Sequence, residues 1–447
     1  MRKNSSDMLS GSIMGGLVAM SIPILIMNVT QVIFSALDMV ILGWFADDTA
    51  VGAVGACSSL IILFTSIFIG VATGANVVVA KHLGEKDRVR TEQAVGTGIT
   101  FSLISGVALL VFGCVMARTL LKWTNCPEVM LDQATTYFQI YFLGAPAIML
   151  YNFAAAALRA CGDTKRPMCF LMVGGVIKII LNLILIAGFN MDVAGVAIAT
   201  IVTNVFAGVF CLWALFKKED KFILDKNSFK IKMEELKQIL FIGVPTGIQS
   251  GLCSFANVII ATAVNGFGPD ATTGVSIANQ FDGILYHVGY APALAVIPYV
   301  AQNIGAGNAG RARTSVLKAI ILTVIMGASC GGLSALFATQ LSSTMSSTPA
   351  VIGFSRQKMV IISSTYFICG INEVLGGALK ALNRPILPTV ATLVYICLLR
   401  FAWVYLLFPL VPNLTFLYLV WPIGWILSIL TLIIPLFNTL KRKGEVI

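Results

Sequence analysis

The sequence predicts an all-α polytopic membrane protein: twelve transmembrane helices in two pseudo-symmetric six-helix lobes. Three observations carry that prediction. Mean hydropathy is +0.90 and only 11% of the 447 residues are charged, which excludes a string of soluble domains. Apolar runs long enough to cross a bilayer, about 20 residues each, recur twelve times. The second half of the chain also repeats the first at an offset of 221–222 residues.

The predicted spans are 17–44, 51–80, 93–117, 133–157, 168–188, 193–215, 236–264, 272–301, 314–338, 354–380, 386–409 and 413–438. The first lobe occupies 1–215 and the second 236–447, joined by a cytoplasmic linker at 216–235. The opening MRKNSSDMLSGSIMGG lacks a small-residue cleavage site and runs into an overlong span containing Pro23, so it reads as the start of a mature helix. Pro146, Pro245, Pro292, Pro298 and Pro409 recur in or near later spans, where neighbouring helices can re-satisfy freed carbonyls.

Most of the 30 Lys and Arg residues fall on one side of the membrane in this reading: Arg2, Lys3, the 2–3, 4–5, 8–9 and 10–11 loops (with Lys380 in the last), the linker and the tail. Arg118, Lys122, Arg356 and Lys358 fall on the other. The positive-inside rule then places both termini in the cytoplasm of a multi-pass protein of the inner membrane. The linker KKEDKFILDKNSFKIKMEELK reads as a surface helix or strap on anionic headgroups. The net charge of +10 lies between apolar runs, so it answers to the lipid bilayer and argues against nucleic acid as a partner. The ten cysteines lie mostly inside spans without metal-type spacing, and two histidines cannot make an HExxH zinc site. No nucleophile elbow or phosphate loop is present, so the chain does not read as an enzyme and needs no cofactor.

The repeat is legible in its punctuation. GVATGANVVVAKHLGEKD (70–87) overlies APALAVIPYVAQNIGAGN (291–308), and ALRACGDTKRPM (157–168) overlies ALKALNRPILPT (378–389). A shift of 222 places Pro23 on Pro245. Both copies start on the same side, which makes a parallel repeat about an axis along the membrane normal.

Polar residues at depth break this symmetry. An acid at the bilayer centre costs roughly 2.5–3.5 kcal/mol on insertion scales, so it normally faces a cavity or a partner. Asp38 in the first span is such an acid, although a position near the helix end would let it merely cap or snorkel; its counterpart is Ile260. Asp282 and Glu373 are the acids of the second half. Lys178 and Arg400 in the fifth span of each half read as charge partners for deep acids. Asn28, Gln31, Asn152, Asn182, Gln249, Asn257 and Gln280 either line a polar cavity or join helices by hydrogen bonds. His287 sits on a different helix face from Asp282, which favours packing over proton relay.

Pro23 with SALDMVILG, then GVATGANVVVAKHLGEKD, LRACGDTKRPM and AQNIGAGN, resemble the multidrug and toxic compound extrusion (MATE) family over about residues 15–440. The resemblance implies two lobes flanking a central cleft and a monomeric antiporter that exports organic cations by alternating access, in exchange for H⁺ or Na⁺. It matches Asp38 to an acid on the first helix of many bacterial members and Glu373 to an acid common on the tenth. Asp38, Glu373 and Asp282 are then the ion-coupling candidates, with Asp38 the candidate Na⁺ ligand. The pattern departs at Cys253, where some members carry Glu, and at Ile186, where another branch carries an acid; the coupling ion is therefore open. A lipid-linked oligosaccharide flippase of the same superfamily is the alternative, and a strongly cationic cleft would favour it. LGEKDRVR superficially resembles the major-facilitator signature, but the DRxGR pattern is missing.

Overall fold

The computed structural model describes residues 8–124, 126–217 and 221–445; Arg2, Lys3 and Lys218 of the charge argument lie outside them. The helices are α1 (Ile13–Phe45), α2 (Asp48–Glu85), α3 (Arg88–Trp123), α4 (Glu128–Leu143), α5 (Ala145–Ala160), α6 (Lys165–Asn182) and α7 (Asp192–Phe216). After the linker come α8 (Met233–Asn265), α9 (Pro269–Gly305), α10 (Ala309–Leu336), the short α11 (Ala338–Ser343), α12 (Pro349–Ala381), α13 (Ile386–Thr392), α14 (Leu399–Ala402), α15 (Leu414–Tyr418) and α16 (Val420–Glu445). Among the described residues, eleven stretches are long and apolar enough to cross a membrane. The bent pair α4–α5, kinked by 46°, supplies the twelfth. That kink falls at Gly144, just before Pro146, whose ring cannot continue the hydrogen-bond ladder. The spans outrun a hydrocarbon core of about 30 Å: the 38 residues of α2 extend to roughly 57 Å at 1.5 Å per residue.

By packing, the chain divides into one unit of Ile26–Gly247 and another of Met1–Leu25 with Ile248–Ile447. The division falls inside α1 and α8, not in the 216–235 linker. Each repeat's first helix thus begins among the helices of the other repeat, and the two crossover points are themselves 222 residues apart.

In the first unit, α2 crosses the start of α8 through four glycines. A Cβ on Gly74 would lie 2.2 Å from the Ile239 carbonyl, and one on Gly247 would lie 2.5 Å from that of Ile67. Gly70 and Gly243 meet the facing backbone as closely, so only hydrogen side chains allow this approach. Phe138, Phe142, Met149 and Leu121 belong to the buried core of this unit.

The linker is a strap on α3. Thr100 donates to the Phe229 carbonyl at 2.7 Å, the Lys232 amide donates to Thr97 Oγ1 at 3.0 Å, and Ser228 donates to Glu92. Phe222, within the strap, is buried. Its backbone is therefore held by protein groups.

In the second unit the core gathers Trp403, Tyr418, Trp425 and Leu417. Trp403 stacks on Phe416 at 4.8 Å and donates its indole N–H to the Phe416 carbonyl. The chain's start is tied here: Arg311 donates to the carbonyls of Met8 (2.9 Å) and Gly11 (2.6 Å), and Asn303 donates to Met8 (3.1 Å). The repeat survives to the level of caps. Asp87 accepts from the Arg90 amide at the start of α3, and Asn308, 221 residues on, accepts from the Arg311 amide at the start of α10.

Candidate functional site

Lys178 and Asn182 are four residues apart on α6 and so project from one face. Both reach Asp38 on α1: Lys178 donates to Oδ2 and Asn182 donates to Oδ1 at 2.7 Å. Asn182 is the last residue of α6, where the helix widens into a π-helical turn at Leu183–Gly188. Such widenings often mark functional positions in helices. Asp38 is 8% exposed and Asn182 fully buried, so the carboxylate is partnered on both oxygens and shielded from bulk water. Removing one member of such a pair is costly, because the other charge stays behind unpaired.

The second unit builds a comparable pair from different helices. Asn279 and Asp282 lie three apart on α9, and Lys358 of α12 ion-pairs with Asp282 Oδ2 at 2.8 Å while donating to Asn279. Lys358 was expected on the side of the membrane facing away from the cytoplasm. It is 3% exposed, because α12 begins at Pro349 and carries it more than two turns into the bundle. Lys380, read as a loop residue, is buried in the last turn of the same helix. Asp282 Oδ1 is buried with no hydrogen-bond partner among the described residues.

Arg400 was expected to neutralise an acid. Among the described residues it forms no ion pair: Lys358 has taken Asp282, and Arg400 Nη1 donates to Asn257 Oδ1 at 2.7 Å. Its guanidinium carbon lies 4.8 Å from the Trp421 ring centre, and the Lys358 ammonium lies 5.9 Å from that centre. Two buried cations thus share one indole, an attraction worth about 2 kcal/mol when desolvated. Glu373 of α12 is half-buried and has neither hydrogen bond nor ion pair among the described residues, while its neighbour Asn372 is held by Ser428 at 2.6 Å.

Among the described residues, none of the other candidates hydrogen-bonds these acids. Asn152 donates to Ile148 on its own helix, Gln31 and Gln280 are exposed, and Asn28 is buried. Gln249 Oε1 and His287 Nδ1 are buried without partners among the described residues, with His287 edge-on to Tyr286. No group of three or more His, Cys, Asp or Glu side chains is placed to hold a metal among the described residues. Sequence reasoning missed Lys358, Asn279 and Trp421. Asn279, three residues before Asp282, was the available signal for the second pair.

Comparison with known proteins agrees with this architecture. The MatE family model matches residues 23–184 and again 245–406, two copies offset by 222. The chain is similar to the probable multidrug resistance proteins YoeA and YpnP of Bacillus subtilis (strain 168). It is 27% identical to YoeA over 83% of this chain and 82% of that one, and 26% identical to YpnP over 88% of each. Among solved structures it resembles an outward-facing multidrug resistance MATE family transporter of the MOP superfamily, with TM-score 0.91, 18% identity and full coverage of both chains. That last likeness speaks for the fold. With a family model matched twice across the two repeats, the chain belongs to the MatE family and is a multi-span membrane protein.

Proposed function

We propose that this protein exports organic cations across the cytoplasmic membrane in exchange for H⁺ or Na⁺, by alternating access, as a monomer with both termini in the cytoplasm. The observation that carries the proposal is the contrast between two acids within the spans. Asp38 is held on both oxygens by Lys178 and Asn182, whereas Glu373 has no ion pair among the described residues. An organic cation can meet Glu373 without first breaking an ion pair. Asp38 is the ion-linked acid: a proton or Na⁺ arriving there competes with the Lys178 ammonium and frees it. Na⁺ would have to draw on amide and carbonyl oxygens as well as the carboxylate. Asp282, paired with Lys358, plays the corresponding part in the second unit. An ion gradient drives release if ion and guest favour different conformations.

The test is efflux of a fluorescent organic cation from proteoliposomes under imposed Na⁺ or pH gradients, with Asp38→Asn alongside. Gradient-accelerated efflux that Asp38→Asn uncouples is the expected result. Undiminished coupled transport after neutralising Asp38, Asp282 and Glu373 together would refute it.

A further inference from the structure

We propose that Lys178 sets the ion specificity of this exporter: its ammonium occupies the seat that a free Na⁺ would take at Asp38, and so closes that acid to sodium. The inference rests on the export reading above and narrows its coupling ion.

Among the described residues, both groups that hydrogen-bond Asp38 are donors. Lys178 gives an ammonium N–H to Oδ2, and Asn182 gives an amide N–H to Oδ1 at 2.7 Å. The Asn182 amide is thus turned nitrogen-first, and its Oδ1 is buried with no hydrogen-bond partner among the described residues. A hard cation binds through several oxygens at once. Beside Asp38 it would meet one carboxylate already held on both oxygens and an amide oxygen turned away.

Charge decides the same way. Asp38 and Lys178 neutralise each other while only 8% and 9% exposed. Na⁺ added to that pair would leave one positive charge uncompensated away from water, which is strongly unfavourable. Sodium must therefore expel the ammonium. Lys178 is anchored on α6 and meets the carboxylate intramolecularly, at an effective concentration that a free ion has to exceed. It pairs with no other acid among the described residues, so no second ion pair waits to receive it.

The second unit builds the same device from other helices. Lys358 sits between Asp282 Oδ2 and Asn279 Oδ1, and Asp282 Oδ1 is buried without a partner among the described residues. In each unit a carboxylate, an asparagine and a lysine share a buried cluster, the lysine supplies the cation, and one oxygen is left over. At Asp38 that left-over oxygen is what sodium could recruit once the ammonium is gone. Without Lys178, Oδ2 comes free and rotation of the Asn182 amide presents a second oxygen.

The test uses the purified full-length protein in detergent. Binding of radiolabelled Na⁺ is measured, and thermal unfolding is compared in sodium and choline chloride at equal ionic strength. Sodium bound equally by the unaltered protein and by the Asp38→Asn, Lys178→Met double variant is bound elsewhere and is subtracted. The unaltered protein is expected to show no remaining Na⁺ binding and the same unfolding midpoint in both salts. Lys178→Met and Lys178→Gln are expected to gain saturable Na⁺ binding and a higher midpoint in sodium, both lost on adding Asp38→Asn. Lys178→Arg keeps a tethered cation and is expected to stay indifferent to sodium. Na⁺ bound by the unaltered protein but not by the double variant overturns the proposal, even if neither single lysine variant folds. A folded Lys178→Met or Lys178→Gln that ignores sodium overturns it too. Failure of the export reading shows separately, as absent gradient-driven efflux, because Na⁺ binding is read without transport.

Discussion

Glu235, in the first turn of α8, lies 2.9 Å from Nε2 of His82 at the end of α2, although 153 residues separate them. The other ring nitrogen meets Glu85 at 2.8 Å, and Arg90 reaches Glu235 at 3.4 Å. With a carboxylate at each nitrogen, both bonds can be donated by the ring only as an imidazolium. His82 is fully buried, so this cluster ties the start of α8 to the end of α2 away from solvent.

Breaking that tie has a measurable consequence. Glu235→Leu should destabilise the protein by about 3–5 kcal/mol, the usual cost of stranding one member of a buried charged cluster. Thermal unfolding of the detergent-solubilised protein would show it. An unchanged midpoint would mean that His82 is adequately served by Glu85 alone.

The glycine crossing makes a sharper prediction. Gly74→Ala places a methyl group 2.2 Å from the Ile239 carbonyl, with no flexible side chain to yield. Folded yield, read by fluorescence-detected size exclusion, should collapse. Gly332→Ala, whose Cβ meets nothing within 4 Å, should leave the elution profile intact.

Asp38 and Lys178 call for a double-mutant cycle. Lys178→Met leaves the carboxylate with Asn182 alone and should cost about 3–5 kcal/mol. Adding Asp38→Asn removes the stranded charge, so the double variant should be more stable than Lys178→Met by itself. Additive losses in the melting curves would count against a specific pair.

The strap offers a third handle on the first unit. Gly96→Val would push a side chain into the Ser228 carbonyl, which a Cβ at that position already approaches at 1.7 Å. The strap should lift from α3 and free the backbone around Lys221, Lys230 and Lys232. Limited trypsin digestion with mass-spectrometric mapping should then show faster cleavage there; an unaltered digestion pattern would mean that α3 is not what protects the strap.

Much of this molecule was legible from one dimension. Each predicted span corresponds to a helical stretch, because a bilayer selects for apolar length and hydropathy records length directly. The 222-residue repeat was equally visible, and the two matches of the family model fall on it. Asp38, Asp282 and Glu373 stood out because a carboxylate in an apolar run is conspicuous without knowledge of its neighbours.

Tertiary structure alone decided what those acids touch. Asp38 and Lys178 are 140 residues apart, and Lys358 read only as a basic residue on the non-cytoplasmic side because hydropathy does not say which neighbour a side chain faces. It is Lys358, not Arg400, that neutralises Asp282, since the rotation of α12 against α9 chooses the partner. Composition along a chain reports the solvent each segment needs. Which two side chains meet depends on the angular facing of packed helices, and that is set by close contacts such as the Gly74–Ile239 approach, whose partners lie far apart in the sequence.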